Sequence, residues 1–118
     1  MQAKQYKKIL HDLEGDVDIE GSCIVSRDGL LIYSDMPDTL HPEAFAAMTA
    51  TLLGAAEAAM DEVKKGIPQK VVVEGKNFYI ITTGAGPKAL LSVITQSDDL
   101  EKTYKAVMKA AGKIEKML

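Results

Sequence analysis

The spacing of apolar side chains along the chain predicts three helices and five strands. In residues 2–14 the apolar positions recur every three or four places, which is the period of one helix face. These positions are Tyr6, Ile9, Leu10 and Leu13. Gly15 follows them and is predicted to cap this first helix, because glycine readily adopts the left-handed conformation that often ends helices.

Two short apolar runs come next, at residues 21–26 and 30–34. Asp28 and Gly29 lie between them. An Asp-Gly pair between apolar runs is a strong hairpin signal, because both residues tolerate a positive φ angle. We therefore predict that the two runs are antiparallel strands joined by a tight turn.

Three further strands are predicted in the second half of the chain, at residues 70–73, 78–83 and 89–95. Their connections are short, and short connections join antiparallel neighbours. The runs are apolar on both faces rather than alternating, which is typical of a sheet covered by helices on both sides. We expect the hairpin and this meander each to leave one strand at an edge of the sheet.

The second helix is predicted over residues 42–65, with Pro42 at its first position and Gly66 as its cap. It is rich in alanine, and one stripe of its surface is apolar. The stripe consists of Phe45, Met48, Leu52, Ala55 or Ala56, Ala59 and Val63. Neighbouring apolar residues widen this stripe into an arc that the domain's own sheet cannot cover alone. A second cover is therefore expected.

The third helix is predicted to begin after Ser97 or Asp98, with Asp98 and Glu101 forming a capping box. Its apolar stripe consists of Leu100, Tyr104, Val107, Ala111, Ile114 and Leu118. The complete order is α-β-β-α-β-β-β-α. Residues 1–118 are thus predicted to form one domain, a three-layer α/β/α sandwich around a five-stranded antiparallel sheet.

Composition and charge disfavour several classes of protein. The 118 residues carry a net charge of −3 and contain no Trp, which disfavours a nucleic-acid binder. No apolar stretch approaches the roughly 20 residues that span a bilayer, and no signal peptide is visible. A single cysteine cannot form an internal disulfide. We expect a cytoplasmic protein without stable membrane insertion.

No residue pattern predicts a catalytic, metal or cofactor site, so the protein is not expected to be an enzyme. The glycine-rich run 84–87 joins two strands instead of opening a helix, and is interpreted as a turn. His11 and His41 are isolated, and no cysteine or histidine spacing resembles a metal site. Cys23 lies within a predicted strand, where we expect a buried and inert thiol.

Arg27 is the single arginine, at the tip of the predicted hairpin. It is interpreted either as a solvated turn residue or as an arginine finger that stabilises phosphate charge in a partner's active site. Five lysines share one face of the third helix, namely Lys102, Lys105, Lys109, Lys113 and Lys116. This face is interpreted as solvated, with a weak contact to an anionic protein or membrane as the alternative.

The second helix and the third strand are predicted to form a symmetric dimer interface. The third strand has little edge protection, since only Pro68 and Lys70 blunt its start. Two copies would pair third strand to third strand across a two-fold axis and pack their second helices together. The predicted contacts are Met48, Leu52, Ala55, Ala59, Val71 and Val73. The alternative is a monomer whose alanine-rich helix lies flat on its own sheet.

Four segments together resemble the Roadblock/dynein light-chain domain family in their order and spacing. They contain the first hairpin, the alanine-rich central helix, and the later strands with their turns, at residues 21–30, 46–54, 71–76 and 84–91. The resemblance implies a profilin-like or longin-like sandwich that dimerises through its central helix and neighbouring strand. It also implies function by binding, as a non-enzymatic regulator or scaffold of Ras-like small GTPases or as a dynein light chain.

The compact form of the chain is most similar to the prokaryotic members, which pair with small GTPases. Some of these stimulate GTP hydrolysis by organising the GTPase's own residues without supplying an arginine, which would leave Arg27 structural. The expected function is therefore a homodimer that binds a Ras-like small GTPase and modulates its nucleotide cycle. Glu57 and Asp61 are expected at the rim of the binding platform, with Arg27 as a further candidate contact.

Two other functions stay open from the sequence. One is a scaffold or light-chain subunit that pairs with a different Roadblock chain and never touches a nucleotide cycle. The other is a small-molecule sensor or enzyme with a cleft between sheet and helices. Such a cleft would be lined by Ser22, Tyr33 or His41.

Overall fold

The eight elements follow the predicted order in the computed structural model, which describes residues 2–118. Met1 of the predicted domain lies outside the described residues. The helices are α1 (Gln2–Asp16), α2 (Pro42–Glu62) and α3 (Leu100–Met117). The strands are β1 (Gly21–Ser26), β2 (Leu31–Asp35), β3 (Val71–Glu74), β4 (Tyr79–Gly84) and β5 (Ala89–Thr95).

All five strands form one antiparallel sheet in the order β2-β1-β5-β4-β3. The hairpin and the meander meet at the centre, where Ile24 of β1 lies opposite Leu91 of β5. The edge strands are therefore β2 and β3, as predicted.

The two faces of the sheet pack against different helices, because successive side chains of a strand point to opposite faces. On one face α1 and α3 lie side by side over a cluster that includes Ile24 and Leu91. On the other face α2 covers a smaller cluster that includes Val25 and Leu90. The predicted three-layer sandwich is confirmed.

Helix α1 buries the predicted stripe but extends two residues beyond its predicted end. Its buried residues are Tyr6, Ile9, Leu10 and Leu13. Gly15 lies within the last turn and does not adopt a positive φ. The prediction of a Gly15 cap is wrong, because the backbone keeps its helical conformation through this residue.

Helix α2 ends at Glu62, earlier than predicted, and a lysine takes the place expected for glycine. Lys64 adopts a φ of 57°. Its N–H donates to the Asp61 carbonyl at 3.0 Å. The next N–H, of Lys65, donates to the Met60 carbonyl at 3.1 Å. These two bonds are those of a Schellman motif, which satisfies the last carbonyls of the helix.

Several other element boundaries differ from the prediction by one residue. Strands β2, β3 and β4 each begin and end one residue later than predicted. Helix α3 begins at Leu100, and the Asp99 carboxylate accepts a hydrogen bond from the Lys102 N–H at 3.2 Å. Asp99 is therefore the N-cap, and the predicted capping box of Asp98 with Glu101 is wrong.

The face of α2 that packs on the sheet is also one residue out of phase with the predicted stripe. The buried residues of α2 are Ala46, Thr49 and Leu53. A shift of one residue rotates a helix by about 100°. Much of the predicted apolar stripe is consequently turned away from the chain's own sheet.

Candidate interaction surface

The side of α2 turned away from the sheet is apolar and uncovered within a single chain. Met48 is 68% exposed, Ala55 and Ala59 are exposed, and Leu52 is half-buried. We call these four residues the outer face of α2. Because two of these four residues are alanines, another backbone can approach that half of the face closely.

The edge strand β3 lies beside this helix and offers a row of open backbone groups. Among the residues that the structure describes, β3 pairs only with β4. Val71 packs against the cluster beneath α2, and Val73, which is 41% exposed, lies on the same face two residues later. The structure thus places all six predicted dimer contacts on the α2 side of the sheet.

The connection from α2 to β3 adds apolar surface that the sequence analysis missed. Ile67 is 80% exposed and extends the surface that begins at Val63, an exposed residue of the predicted stripe. The Thr83 hydroxyl donates to the Gln69 carbonyl at 2.8 Å and holds this connection against β4. The sequence signal for this surface is an isoleucine between a glycine and a proline. Such an isoleucine lies in a turn and belongs to no helical or strand stripe, so it has no predicted core position.

Arg27 forms hydrogen bonds with two distant parts of the chain. Its Nη1 lies 3.0 Å from Glu57 Oε2 on α2. Its Nη2 donates to the Gly86 carbonyl at 2.9 Å, and its Nε donates to the same oxygen at 3.3 Å. Arg27 is therefore a clasp between the β1–β2 turn, α2 and the β4–β5 turn. Asp61, the remaining predicted rim residue, is exposed one turn further along α2.

Two glycines of this turn lie where a Cβ atom would meet a charged side chain, and at Gly84 that side chain is Arg27. A Cβ atom at Gly84 would lie 2.6 Å from Arg27 Nη2, closer than such atoms can approach. At Gly86, which has a φ of 81°, a Cβ atom would lie 2.7 Å from Cγ of Glu115. The glycine-rich run is the turn that the sequence predicts, and it also seats the guanidinium group.

A cleft of about 570 Å³ opens beside the clasp, between α2, the α2–β3 connection and α3. Its lining includes Arg27, Glu57, Ile67, Met108 and Glu115. None of the three residues expected to line a sensor pocket belongs to this cleft. Those residues are Ser22, Tyr33 and His41.

The three residues expected to line a sensor pocket lie in or against the core or at a helix end instead. Ser22 is fully buried in β1. Tyr33 packs on Tyr6, with ring centroids 6.3 Å apart. His41 is the N-cap residue of α2, and its side chain makes no capping hydrogen bond. Burial raises the pKa of the Cys23 thiol to about 12, so this group is inert near neutral pH.

The lysines of α1 and α3 lie on adjacent helices, and acidic residues interrupt them. Lys8 Nζ and Lys113 Nζ lie 3.0 Å and 3.9 Å from Asp12 Oδ2. The hydrogen bond from Lys8 lowers the pKa of Asp12. Lys105 Nζ lies 3.7 Å from Glu101 Oε1. This pairing favours the interpretation of the basic face as solvated surface.

No helix within residues 2–118 has both the length and the apolar character needed to cross a membrane.

Comparison with known proteins places this architecture in a family. Residues 6–95 match the family model of the Roadblock/LC7 domain. The chain belongs to the Roadblock/LC7 domain family. Among curated proteins, the uncharacterized protein MJ0310 of Methanocaldococcus jannaschii is 29% identical over 110 residues, which are 93% of this chain and 96% of that protein.

Solved structures share the same fold at low sequence identity. MglB of Myxococcus xanthus matches with a TM-score of 0.88 at 19% identity, over 96% of this chain and 94% of MglB. Profilin II of Acanthamoeba castellanii matches with a TM-score of 0.67 at 15% identity, over 94% of this chain and 96% of the profilin. The profilin-like architecture expected from the resemblance is confirmed.

Proposed function

We propose that this chain forms a homodimer that binds a Ras-like small GTPase and modulates its nucleotide cycle, without being an enzyme itself. One observation carries the proposal: the apolar outer face of α2 lies on the same side of the sheet as the open edge of β3. Membership in the Roadblock/LC7 domain family supports function by binding. The resemblance to prokaryotic members supports the choice of a small GTPase as partner.

The dimer joins two copies through their β3 edges. An antiparallel pair of β3 strands satisfies the open backbone groups and extends the sheet across the two-fold axis. The same axis brings the two α2 helices together through their outer faces. Helix α2 has 21 residues and is therefore about 30 Å long, enough for an interface of ordinary size.

The GTPase docks on the platform that the paired α2 helices provide. Asp61 is exposed near the end of α2 and is free to contact a partner at the rim. Glu57 and Arg27 form an ion pair with each other. They therefore define the shape of the rim and do not extend toward the GTPase. A guanidinium held by three hydrogen bonds is poorly suited to enter a partner's active site. We infer that the chain stimulates or tethers its GTPase without an arginine finger.

The dimer is tested by light scattering at micromolar concentration. The wild-type chain should have about twice the 12.7 kDa mass of one copy. Leu52→Glu and Val73→Glu should each give the monomer mass, because a charge cannot be buried in the interface without a partner. Leu30→Glu is the matched control, since Leu30 is 67% exposed in the hairpin turn and should leave the dimer intact. A monomeric wild type refutes the model.

The GTPase is identified by a pull-down, followed by measurement of GTP hydrolysis by the recovered protein. Arg27→Ala should change stimulated hydrolysis by less than about tenfold. Loss of an arginine finger lowers the rate of GTP hydrolysis by about 10³-fold or more. A decrease of that size would show that Arg27 acts as an arginine finger. If the native complex instead contains a second Roadblock chain and no GTPase, the scaffold alternative replaces this proposal.

A further inference from the structure

Three side chains with metal-binding atoms meet at the end of α1. His11 and Glu14 are three residues apart in α1 and therefore share one helix face. Asp35 is the last residue of the edge strand β2. One ligand atom from each of the three lies within 4.8 Å of the others. His11 is isolated in the sequence because Asp35 is distant along the chain.

The two carboxyl groups of this cluster lie close together. Among residues 2–118, no Lys or Arg nitrogen lies within 4.0 Å of Glu14 or Asp35. An imidazole nitrogen and two carboxyl oxygens at this spacing could all reach one bound cation.

A buried hydroxyl beside the cluster also lacks a partner. Within the described part of the chain, Ser22 Oγ is fully buried and has no hydrogen-bond partner. Ser22 lies directly opposite Asp35 in the β1–β2 ladder, so the two side chains share a face with their Cβ atoms about 5 Å apart. That face is the one covered by α1, because Ile24 and Val93, which flank Ser22 on it, belong to the α1–α3 cluster. The hydroxyl is thus oriented to the side on which the cluster lies.

We propose that His11, Glu14 and Asp35 bind a first-row divalent transition-metal ion, with Zn²⁺ as the preferred ion. An imidazole nitrogen favours Zn²⁺ and its first-row neighbours, whereas Mg²⁺ and Ca²⁺ prefer oxygen ligands alone. Three protein ligands leave a fourth position for water. A metal-bound water on this face gives the Ser22 hydroxyl the hydrogen-bond partner that it otherwise lacks.

The ion ties the end of α1 to the edge strand β2 and neutralises the two carboxylates. This site goes beyond the proposed function, because it lies on the sheet face opposite α2. Zinc should therefore bind to dimer-breaking variants such as Leu52→Glu as well as to the wild type. Failure of the zinc site leaves the dimer untouched, and failure of the dimer leaves the zinc site untouched.

The test is isothermal titration calorimetry of the full chain with zinc chloride after treatment with a chelator. We expect one ion per chain and a higher melting temperature with zinc. His11→Ala and Asp35→Asn should each weaken zinc binding at least about tenfold. His41→Ala is the matched control, since it removes the other exposed histidine and should leave the affinity unchanged.

A second readout keeps the proposal falsifiable if a variant loses stability. Nuclear magnetic resonance of the histidine side chains should show zinc-dependent shifts of His11 and none of His41. Absence of zinc binding to the wild type, or equal weakening by His11→Ala and His41→Ala, would overturn the proposal. Binding that survives both His11→Ala and Asp35→Asn would overturn it too.

Discussion

The guanidinium of Arg27 lies 3.0 Å from the carboxylate of Glu57, although the two residues are 30 positions apart. The same side chain also donates to the Gly86 carbonyl, 59 positions away. One residue therefore joins the hairpin turn to α2 and to the β4–β5 turn. This contact adds to the packing of Ala46, Thr49 and Leu53, the buried residues through which α2 lies on the sheet.

Gly84→Ala should destabilise the protein because it displaces Arg27. The added Cβ would lie 2.6 Å from Arg27 Nη2, so the guanidinium must shift and its hydrogen bonds weaken. The bonds are half-exposed, and we expect a loss of about 1–2 kcal/mol in the free energy of unfolding. Urea denaturation at one fixed protein concentration measures this change in the free energy of unfolding.

The matched control is Gly112→Ala in α3, where a Cβ would have no atom within 4 Å. Replacing glycine in a helix interior by alanine should raise the stability by about 0.5–1 kcal/mol. The clasp is unimportant if Gly84→Ala and Gly112→Ala shift the unfolding midpoint in the same direction.

Leu52 and Leu53 are neighbours that should respond differently to truncation. Leu53 is 1% exposed on the side of α2 that packs on the sheet, so Leu53→Ala should cost about 2–5 kcal/mol of folding stability. Leu52 is half-buried on the outer face, so Leu52→Ala should chiefly weaken self-association. Thermal unfolding over a range of protein concentrations separates the two effects. The reverse order of effects would contradict the assigned faces of α2.

Asp99→Ala should destabilise α3 by about 1 kcal/mol, because it removes the carboxylate that caps the Lys102 N–H. Asp98→Ala changes the adjacent residue, which is exposed and does not cap the helix, and should cost less than about 0.5 kcal/mol. Chemical denaturation of the two variants side by side is the measurement. Equal losses would mean that the cap is shared.

Cys23 should resist alkylation in the folded protein. With its pKa near 12, about one thiol in ten thousand is ionised at pH 8, and the sulfur is also shielded from solvent. Labelling by iodoacetamide at pH 8 should therefore follow the unfolding of the chain and accelerate in urea. Labelling of the native protein at the rate of free cysteine would show that β1 is accessible.

Local signals were sufficient to predict most of the fold. Tyr6 and Leu13 recur at helical spacing, and the Asp28-Gly29 turn joins two apolar runs, so α1 and the β1–β2 hairpin follow from neighbouring residues. Boundaries were less certain because caps depend on single backbone conformations. Lys64 replaces an expected glycine, and Asp99 replaces an expected Asp98.

The sequence by itself determined the order of the elements and the edge position of β3. It also determined which residues of α2 form the apolar arc. These properties depend on periodicity and turn chemistry, which act over a few residues. Only the tertiary structure decided the rotation of α2, the clasp of Arg27 and the meeting of His11 with Asp35. The physical reason is that strand register and helix rotation bring these side chains together, and both are set by packing between segments far apart in the chain.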